Sequence, residues 1–268
     1  MDRLFSYCSN KKRNILVKIT IITVAYNAQN TIEDTLLSVF NQNFKNIEYI
    51  VIDGASKDNT VKIISKYLKK IDYFITEPDA GMYDAINKGI KISTGDIIGI
   101  LNADDIFTNN NIVNEINNTF TTNNNIDAII ADIAFVKNNK ITRILSSIKW
   151  KPKYFNFGIM PAHPTFYCKR NVFESYGLYR TDFEIAADFE LMLRFILINK
   201  IFYKYIPTIM VYMKSGGKST RGFYSIFTIN KEINRAFILN GIKTNFLMIY
   251  LKYFYKIFEF KILSKKSI

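Results

Sequence analysis

The sequence predicts an α/β fold built on a mainly parallel central sheet with flanking helices. Three observations carry that prediction. Residues 18–25, 47–52 and 96–101 are rich in β-branched side chains, the composition of buried strands. Each run ends abruptly in turn-forming or acidic residues: Tyr26-Asn27-Ala28, Asp53-Gly54, and Asn102-Ala103-Asp104-Asp105. Between the runs, apolar residues recur at helical spacing, and strands alternating with helices of this length imply right-handed βαβ units.

Taken in order, the first strand (18–25) is followed by a helix over 31–42 with Ile32, Leu36, Leu37, Val39 and Phe40 apolar. Thr31 and Asp34 offer that helix a cap and an acidic first turn. The second strand (47–52) leads to a helix over 58–69 carrying Val61, Ile64, Tyr67 and Leu68, and a short strand follows at 72–76. A helix over the segment beginning Asp79-Ala80-Gly81 precedes the fourth strand. Beyond 109 the order is less regular: a helix at 110–120, paired strands at 127–136 and 140–148, and a strand at 163–168. A helix over 187–198 then presents Leu191, Phe195 and Ile198, and 201–213 is extended. The segment Ser215-Gly216-Gly217-Lys218-Ser219 reads as flexible, and a helical tail runs from about 224. Ligands in such sheets bind at the carboxyl ends of the strands, so Tyr26-Asn27, Asp53 and Asp104 should converge on one crevice.

Composition excludes several classes. Half the residues are hydrophobic, which marks a folded chain. Cys8 and Cys168 are too few to staple 268 residues and read as reduced thiols of a cytosolic protein. Residues 1–10 hold no apolar stretch behind a basic segment, so no secretory signal is expected. His163 is the single histidine, which excludes a multi-histidine metal site and a Ser/His/Asp hydrolase. No P-loop or dinucleotide fingerprint occurs. The net charge of +13 is concentrated late: thirteen basic residues from Lys200 onward face only Glu232 and Glu259. They alternate with Phe, Tyr, Ile and Leu, and Lys252 and Lys256 interrupt the longest apolar stretch. An interfacial helix on anionic lipid fits that pattern better than a spanning one; a basic helix packed on the domain is the plainer alternative, and nucleic acid is not an expected partner.

Paired carboxylates at a strand end, Asp104 and Asp105, suit a hard divalent cation, although a strand-to-turn junction also uses such residues. Asp84 and Lys88 lie one helical turn apart, the spacing of a local ion pair. Asp188 opens a helix, where an N-cap is the structural alternative to chemistry.

The motifs in combination resemble glycosyltransferase family 2 enzymes with the GT-A fold, especially bacterial members building O-antigen, capsule and related exopolysaccharides. The matching stretches are Ile21-Ile22-Thr23-Val24-Ala25-Tyr26-Asn27, Val51-Ile52-Asp53-Gly54-Ala55-Ser56-Lys57-Asp58, residues 79–89, Leu101-Asn102-Ala103-Asp104-Asp105, His163-Pro164-Thr165-Phe166 and Ala186-Ala187-Asp188-Phe189-Glu190-Leu191. They span roughly 18–220. The resemblance implies a GT-A domain over 1–220, with a nucleotide-sugar half at 18–108 and an acceptor half at 109–220, and a helical basic tail over 221–268.

The resemblance further implies that Asp53 binds the nucleobase and that Thr23, Ala25, Tyr26 and Asn27 lie at the nucleoside. Asp79, Asp84 and Lys88 fall at the donor pocket. The family's Asp-any-Asp metal motif falls on Asn102-Ala103-Asp104, so this chain departs at the first position; Mn²⁺ or Mg²⁺ would sit on Asp104 with help from Asp105, and Asn102 would bond a ribose or a metal-bound water. Asp188 matches the catalytic base, with Glu190 the weaker candidate on another side of the helix. His163 and Ala187 match positions beside donor sugar or acceptor. The expected activity is inverting transfer of a hexose or N-acetylhexosamine from a nucleotide sugar, UDP-linked, to a saccharide on a polyprenyl diphosphate at the inner face of the membrane. A GDP- or dTDP-sugar donor, a soluble acceptor, or a silent scaffold of a polysaccharide assembly complex are the rivals.

Overall fold

The computed structural model describes residues 17–138, 140–214, 222–243 and 247–250. Its first half alternates strand and helix: β1 (Ile19–Ala25), α1 (Ile32–Phe40), β2 (Ile47–Asp53), α2 (Thr60–Ser65), β3 (Tyr73–Thr76), α3 (Met82–Ile92) and β4 (Ile97–Ile100). The second half adds β5 (Asp105–Phe107), α4 (Ile112–Thr122), β6 (Ala128–Lys137), β7 (Lys140–Leu145), β8 (Tyr167–Lys169), α5 (Arg170–Tyr176), α6 (Ala187–Met192), β9 (Tyr203–Lys214) and α7 (Gly222–Leu239).

The strands form one mixed sheet in the order β3-β2-β1-β4-β8-β6-β9-β5, with β7 paired to β6. The β3-β2-β1-β4 half is parallel, and its register sets Ala25 opposite Asp53 and Asp53 opposite Thr76. β8 joins β4 antiparallel, β6 joins β8 antiparallel and β9 runs parallel to β6. β5 closes the far edge against β9, with Asp105 opposite Met213.

Both faces of the sheet are covered, which explains why β1 and β2 are nearly continuous apolar runs. Ile19, Ile21 and Val51 pack toward α1, α2 and α4, in a cluster with Ile32, Leu36, Ile64 and Ile112. Ile22, Ile50 and Ile52 pack on the other face with Ile86 of α3, Phe189 and Leu191 of α6, and Phe237 of α7. The alternation is the two-residue period of a strand. The result is three layers, helices on both sides of a sheet.

Three local expectations are corrected. Thr31 stands at the N-cap of α1 but makes no side-chain cap; its hydroxyl bonds back to the Ala28 carbonyl, while Glu33 and Asp34 supply the acidic first turn. Residues 163–165 form a 3₁₀ turn, and the strand begins at Tyr167. Pro164 has no N–H to give a ladder, and the Thr165 hydroxyl takes up the Ala131 N–H and the Ala162 carbonyl. The helix over 187–198 keeps α-helical pitch only to Met192, then widens to a π-helical turn over Leu193–Ile198, leaving Ile198 39% exposed. Residues 215–219, and residues 244–246 and 251–268 of the tail, lie outside the described residues; the tail is helical over Gly222–Leu239 and Leu247–Tyr250.

At the edge opposite the crevice, Glu48 ties three elements together. Its buried carboxylate accepts from Lys18 Nζ (2.8 Å), the Thr20 hydroxyl (2.6 Å), and the Thr94 N–H and hydroxyl (2.7 and 2.6 Å). Burial opposes its ionisation, yet the Lys18 ammonium and these donors hold the acid down at about 2. A depressed carboxyl adds stability above its unfolded pKa and loses it as pH falls through the folded one, here between about 4.5 and 2. Glu48→Gln should cost roughly 3 kcal/mol at pH 7, because it leaves donors without a charged acceptor; urea unfolding would measure that, and the variant's stability should be flatter over the same acid window.

Candidate active site

The carboxyl edge of the parallel strands carries the site in three parts. At the first, β1 ends in Ala25 and the chain turns through Tyr26 and Asn27, whose φ of 50° is left-handed. Asn27 is stitched to the loop after β2: its N–H donates to the Ser56 hydroxyl (2.8 Å) and its side-chain oxygen accepts the Lys57 N–H (2.9 Å). Asp53 organises that loop from beneath. It is fully buried and accepts from the Ser56 N–H (2.9 Å), the Ser56 hydroxyl and the Thr76 hydroxyl (2.7 Å). Above it, a methyl group at Gly54 would lie 2.4 Å from Asp79 Oδ2 and 3.5 Å from the Tyr26 ring. Tyr26, Gly54 and Asp79 therefore meet, and Tyr26 leaves 59% of its surface open. Thr23 does not join them. It is buried one turn of the pleat deeper, with its hydroxyl 3.0 Å from that of Tyr49.

The second part is the loop entering α3. Asp79 accepts the Gly81 N–H (2.9 Å), and Gly81 adopts φ 119°, a conformation that favours glycine. Asp84 accepts the Ala80 N–H (3.1 Å). Lys88 sits 2.8 Å from Glu77, 3.5 Å from Asp84 and 3.1 Å from the Pro78 carbonyl, so it clasps this loop. The local ion pair expected from spacing is present, and Glu77, a partner the spacing did not reveal, is the closer one.

The third part follows β4. Asp104 is half-buried, and burial pushes its carboxyl up, with Lys214 at the end of β9 opposing the shift. Asp105 is buried; burial and the Asp104 charge push it well up. Asn102 donates to Asp105 Oδ2 (3.0 Å), yet Asn102 Oδ1 and Asp105 Oδ1 are buried acceptors with no donor among the described residues. Ala103 is buried between them. Unpartnered oxygens beside a desolvated carboxyl are the donor set a hard divalent cation prefers. Among the described residues no cluster of three His, Cys, Asp or Glu forms a self-sufficient metal cage, so such an ion would share its shell with phosphate oxygens.

Asp188 approaches from α6. Its N-cap is Ala186, so Asp188 is not the cap; it accepts the Phe189 N–H (2.8 Å). Burial pushes its carboxyl up to about 7, the charge of Glu232 pushes in the same direction, and backbone N–H groups, that of Phe189 first, pull against them. Tyr83 belongs to the first turn of α3 and donates its hydroxyl to the Ile185 carbonyl, which links the loop entering α3 to the Asp188 segment. Tyr83 stacks on Tyr179 (5.9 Å between centroids), and Asn87 holds the Tyr179 backbone at both N–H and C=O.

The remaining expectations are redirected inward. His163 is buried against Tyr179, Nε2 to hydroxyl 2.7 Å, and burial lowers it to about 4, leaving it neutral. Ala187 is fully buried. Glu190 is buried in a two-pronged pair with Arg194 (3.0 and 3.0 Å), which in turn caps the Leu178 carbonyl. Tyr83, Tyr179, Lys214 and Glu232 are the residues sequence reasoning did not single out. Lys214 and Glu232 reach the site from elements distant in the chain, and only Tyr83 lay inside a motif already quoted.

Comparison with known proteins agrees with this geometry. The profile of glycosyl transferase family 2 matches residues 20–174, more than half of the chain. An uncharacterised glycosyltransferase of Mycobacterium tuberculosis is 30% identical over 183 residues, covering 67% of this chain and 69% of that protein. The chain belongs to glycosyltransferase family 2. Within the family, the poly-β-1,6-N-acetyl-D-glucosamine synthase of Staphylococcus aureus is 36% identical over 110 residues, 39% of this chain and 27% of the synthase. Staphylococcus aureus TarS in complex with UDP-GlcNAc superposes with a TM-score of 0.66 at 16% identity, covering 82% of this chain and 66% of that structure. A Pyrobaculum calidifontis mannosyltransferase in complex with GDP-Man and Mn²⁺ has a TM-score of 0.59 at 17% identity, covering 82% and 64%. The chain thus spans slightly under two thirds of the solved structures it resembles, and these likenesses establish the GT-A fold.

For this family 2 chain, Gly54→Ala should separate site from fold. The added methyl meets the end of the Asp79 side chain, not backbone, so stability should change by less than about 1 kcal/mol. Displacing Asp79 tests the donor role expected of it: the expected outcome is a KM for the sugar nucleotide raised about tenfold, which is about 1.4 kcal/mol of binding; thermal unfolding and initial rates would check both.

Proposed function

We propose that this chain is an inverting, metal-dependent transferase that moves a hexose or N-acetylhexosamine from a UDP-sugar to a saccharide on a polyprenyl diphosphate carrier. The observation that carries the reading is the placing of Asp188: a partly buried carboxyl at the start of α6, three residues beyond the Ile185 carbonyl that Tyr83 of α3 holds, with no cation beside it and burial pushing it up to about 7. A general base works best when its pKa lies near the working pH. Ionised Asp188 takes the proton of an acceptor hydroxyl as that oxygen attacks the anomeric carbon, and the bond from that carbon to the diphosphate oxygen breaks. In-line displacement inverts the centre, so an α-linked donor gives a β-linked product.

Tyr26, Gly54 and Asp79 receive the nucleoside, with Asp53 shaping the loop beneath it. Asp104, with the free oxygens of Asn102 and Asp105, would hold the Mg²⁺ or Mn²⁺ that neutralises charge on the departing diphosphate. UDP is favoured because TarS carries UDP-GlcNAc and the related synthase is named for N-acetylglucosamine. The GDP-mannose complex makes a GDP-sugar the second reading. A lipid-linked acceptor is favoured by the basic, aromatic C-terminal quarter and by the exposed Tyr224, Phe227, Ile238 and Leu239 of α7. No helix among the described residues is long and apolar enough to cross a membrane; the contact proposed is peripheral, basic side chains toward anionic lipid.

A panel of UDP-, GDP- and dTDP-sugars with synthetic lipid-diphosphate acceptors, read by mass, tests the reading. Transfer from one donor, abolished by EDTA, is expected; turnover that ignores EDTA would remove the metal from the mechanism. The kcat of the parent should fall on acidification through about pH 7, because protonated Asp188 cannot accept a proton. Asp188→Asn should lower kcat by roughly 10²- to 10⁴-fold, the usual worth of a positioned base. Deleting residues beyond Gly241 should weaken sedimentation with anionic liposomes, and equal sedimentation would refute the peripheral attachment.

A further inference from the structure

The acidic residue Glu232 stands in a helix whose surroundings are otherwise basic, and it is buried. Its carboxylate faces the segment that leads into α6. The Glu184 N–H donates to Oε1 (2.6 Å), and the Ile185 and Ala186 N–H groups donate to Oε2 (3.0 and 2.8 Å). Three consecutive backbone donors on one side chain make a rigid clasp, and charge-assisted bonds of this kind are about twice as strong as neutral ones. The residue two positions beyond the clasp is Asp188.

We propose that Glu232 is the positioning residue for Asp188, its carboxylate setting the backbone from which the base projects. The proposal rests on Asp188 being the base. The rest of α7 acts in the same sense. One turn further on, Arg235 donates to the Asp182 carbonyl (2.8 Å), pairs with the Asp182 carboxylate and lies over the Phe183 ring at 4.8 Å. Near the end of the helix, Asn240 donates to Glu190 Oε1 (3.1 Å). Ile233, Ala236 and Phe237 bury their side chains in the core that contains Phe189. From the opposite side the Tyr83 hydroxyl holds the Ile185 carbonyl, so one peptide segment is gripped at its donors by α7 and at its acceptor by α3. α7 is a brace for the catalytic segment, not an appendage.

Glu232 also acts through charge. The groups facing Asp188 are Tyr83 from α3, Tyr179 from the segment between α5 and α6, and Glu232 from α7; His163, behind Tyr179, is neutral. Glu190, on the same helix as Asp188, is neutralised by Arg194. Glu232 is therefore the anion that opposes ionisation of the base.

The test uses the full chain and its Glu232→Gln, Glu232→Asp and Asp188→Asn variants. Hydrogen exchange read by mass spectrometry follows a peptide over 184–189 and strands β1 and β2 as internal controls. Carbon-13 NMR follows the carboxyl of Asp188, assigned by its loss in Asp188→Asn. In Glu232→Gln, exchange over 184–186 should accelerate by about tenfold or more with β1 and β2 unchanged, and the Asp188 midpoint should move below the parent's. Glu232→Asp keeps the charge and shortens the reach, so exchange should accelerate while the midpoint stays above that of Glu232→Gln. An unmoved midpoint with unchanged exchange would overturn the proposal. So would acceleration spread evenly over the sheet, which would make Glu232 a stability contact only. Should Asp188→Asn transfer sugar at the parent's rate, the base reading fails by itself, whatever the exchange and titration say of Glu232.

Discussion

In-register parallel pairing of β1 with β2 and β4 is the constraint on which the rest of the molecule depends, because it brings three separate loops to one edge. Ala25 stands level with Asp53 and Asp53 level with Thr76, while the Leu101 N–H reaches the Ile22 carbonyl to start the loop that holds Asp104. A slip of one residue in any of these pairs would turn the apolar set of that strand to the other face and carry its loop away from the crevice. The sheet is held at the far edge by Glu48, which joins the start of β1, the body of β2 and the turn before β4. The residues proposed for binding and the structural anchor thus occupy opposite ends of the same strands.

The second half of the chain holds a partly buried carboxyl, Asp188, beside Tyr83 of α3 with no cation among the groups that set its acidity. Burial and the Glu232 charge raise its pKa, and hydrogen bonds, that from the Phe189 N–H first, restrain it. A carboxyl in such a place is costly when ionised, and the surrounding fold accepts the cost by over-determining the segment that carries it. Tyr83, Tyr179 and Asn87 hold one side through an aromatic stack and a backbone pincer, and α7 holds the other. By contrast Glu190, two residues later, is buried and has its charge neutralised by Arg194. Two acids on one short helix have different fates because only one has a guanidinium within reach.

Much of the architecture was legible in the chain. The β-branched runs located β1, β2 and β4, their abrupt ends located the crevice, and the helical spacing located α1, α3 and α4 to within a few residues. The motif residues at Tyr26, Asn27, Asp79 and Asp104 do come to the strand edge. Where the reading went inward instead, at Thr23, His163 and Ala187, the cause is that a motif match identifies a neighbourhood and not the direction of a side chain. Thr23 and Asp53 lie on one sheet, yet the hydroxyl of Thr23 turns to Tyr49 in the core. The missed strand start after Pro164 and the π-helical turn after Met192 are local backbone choices that short apolar segments do not encode by spacing alone.

The sequence by itself determined the class of fold, the edge to which the motif loops come and the family, since these follow from periodicity and from motif order along the chain. Only the tertiary structure decided which of the acids are free to act. Whether a carboxyl is neutralised, desolvated or held by backbone donors depends on what arrives beside it from elsewhere: Arg194 at Glu190, Lys214 near Asp104, Tyr83 and Glu232 about Asp188. Those neighbours are brought together by strand register and helix packing, and no spacing within a single segment announces them.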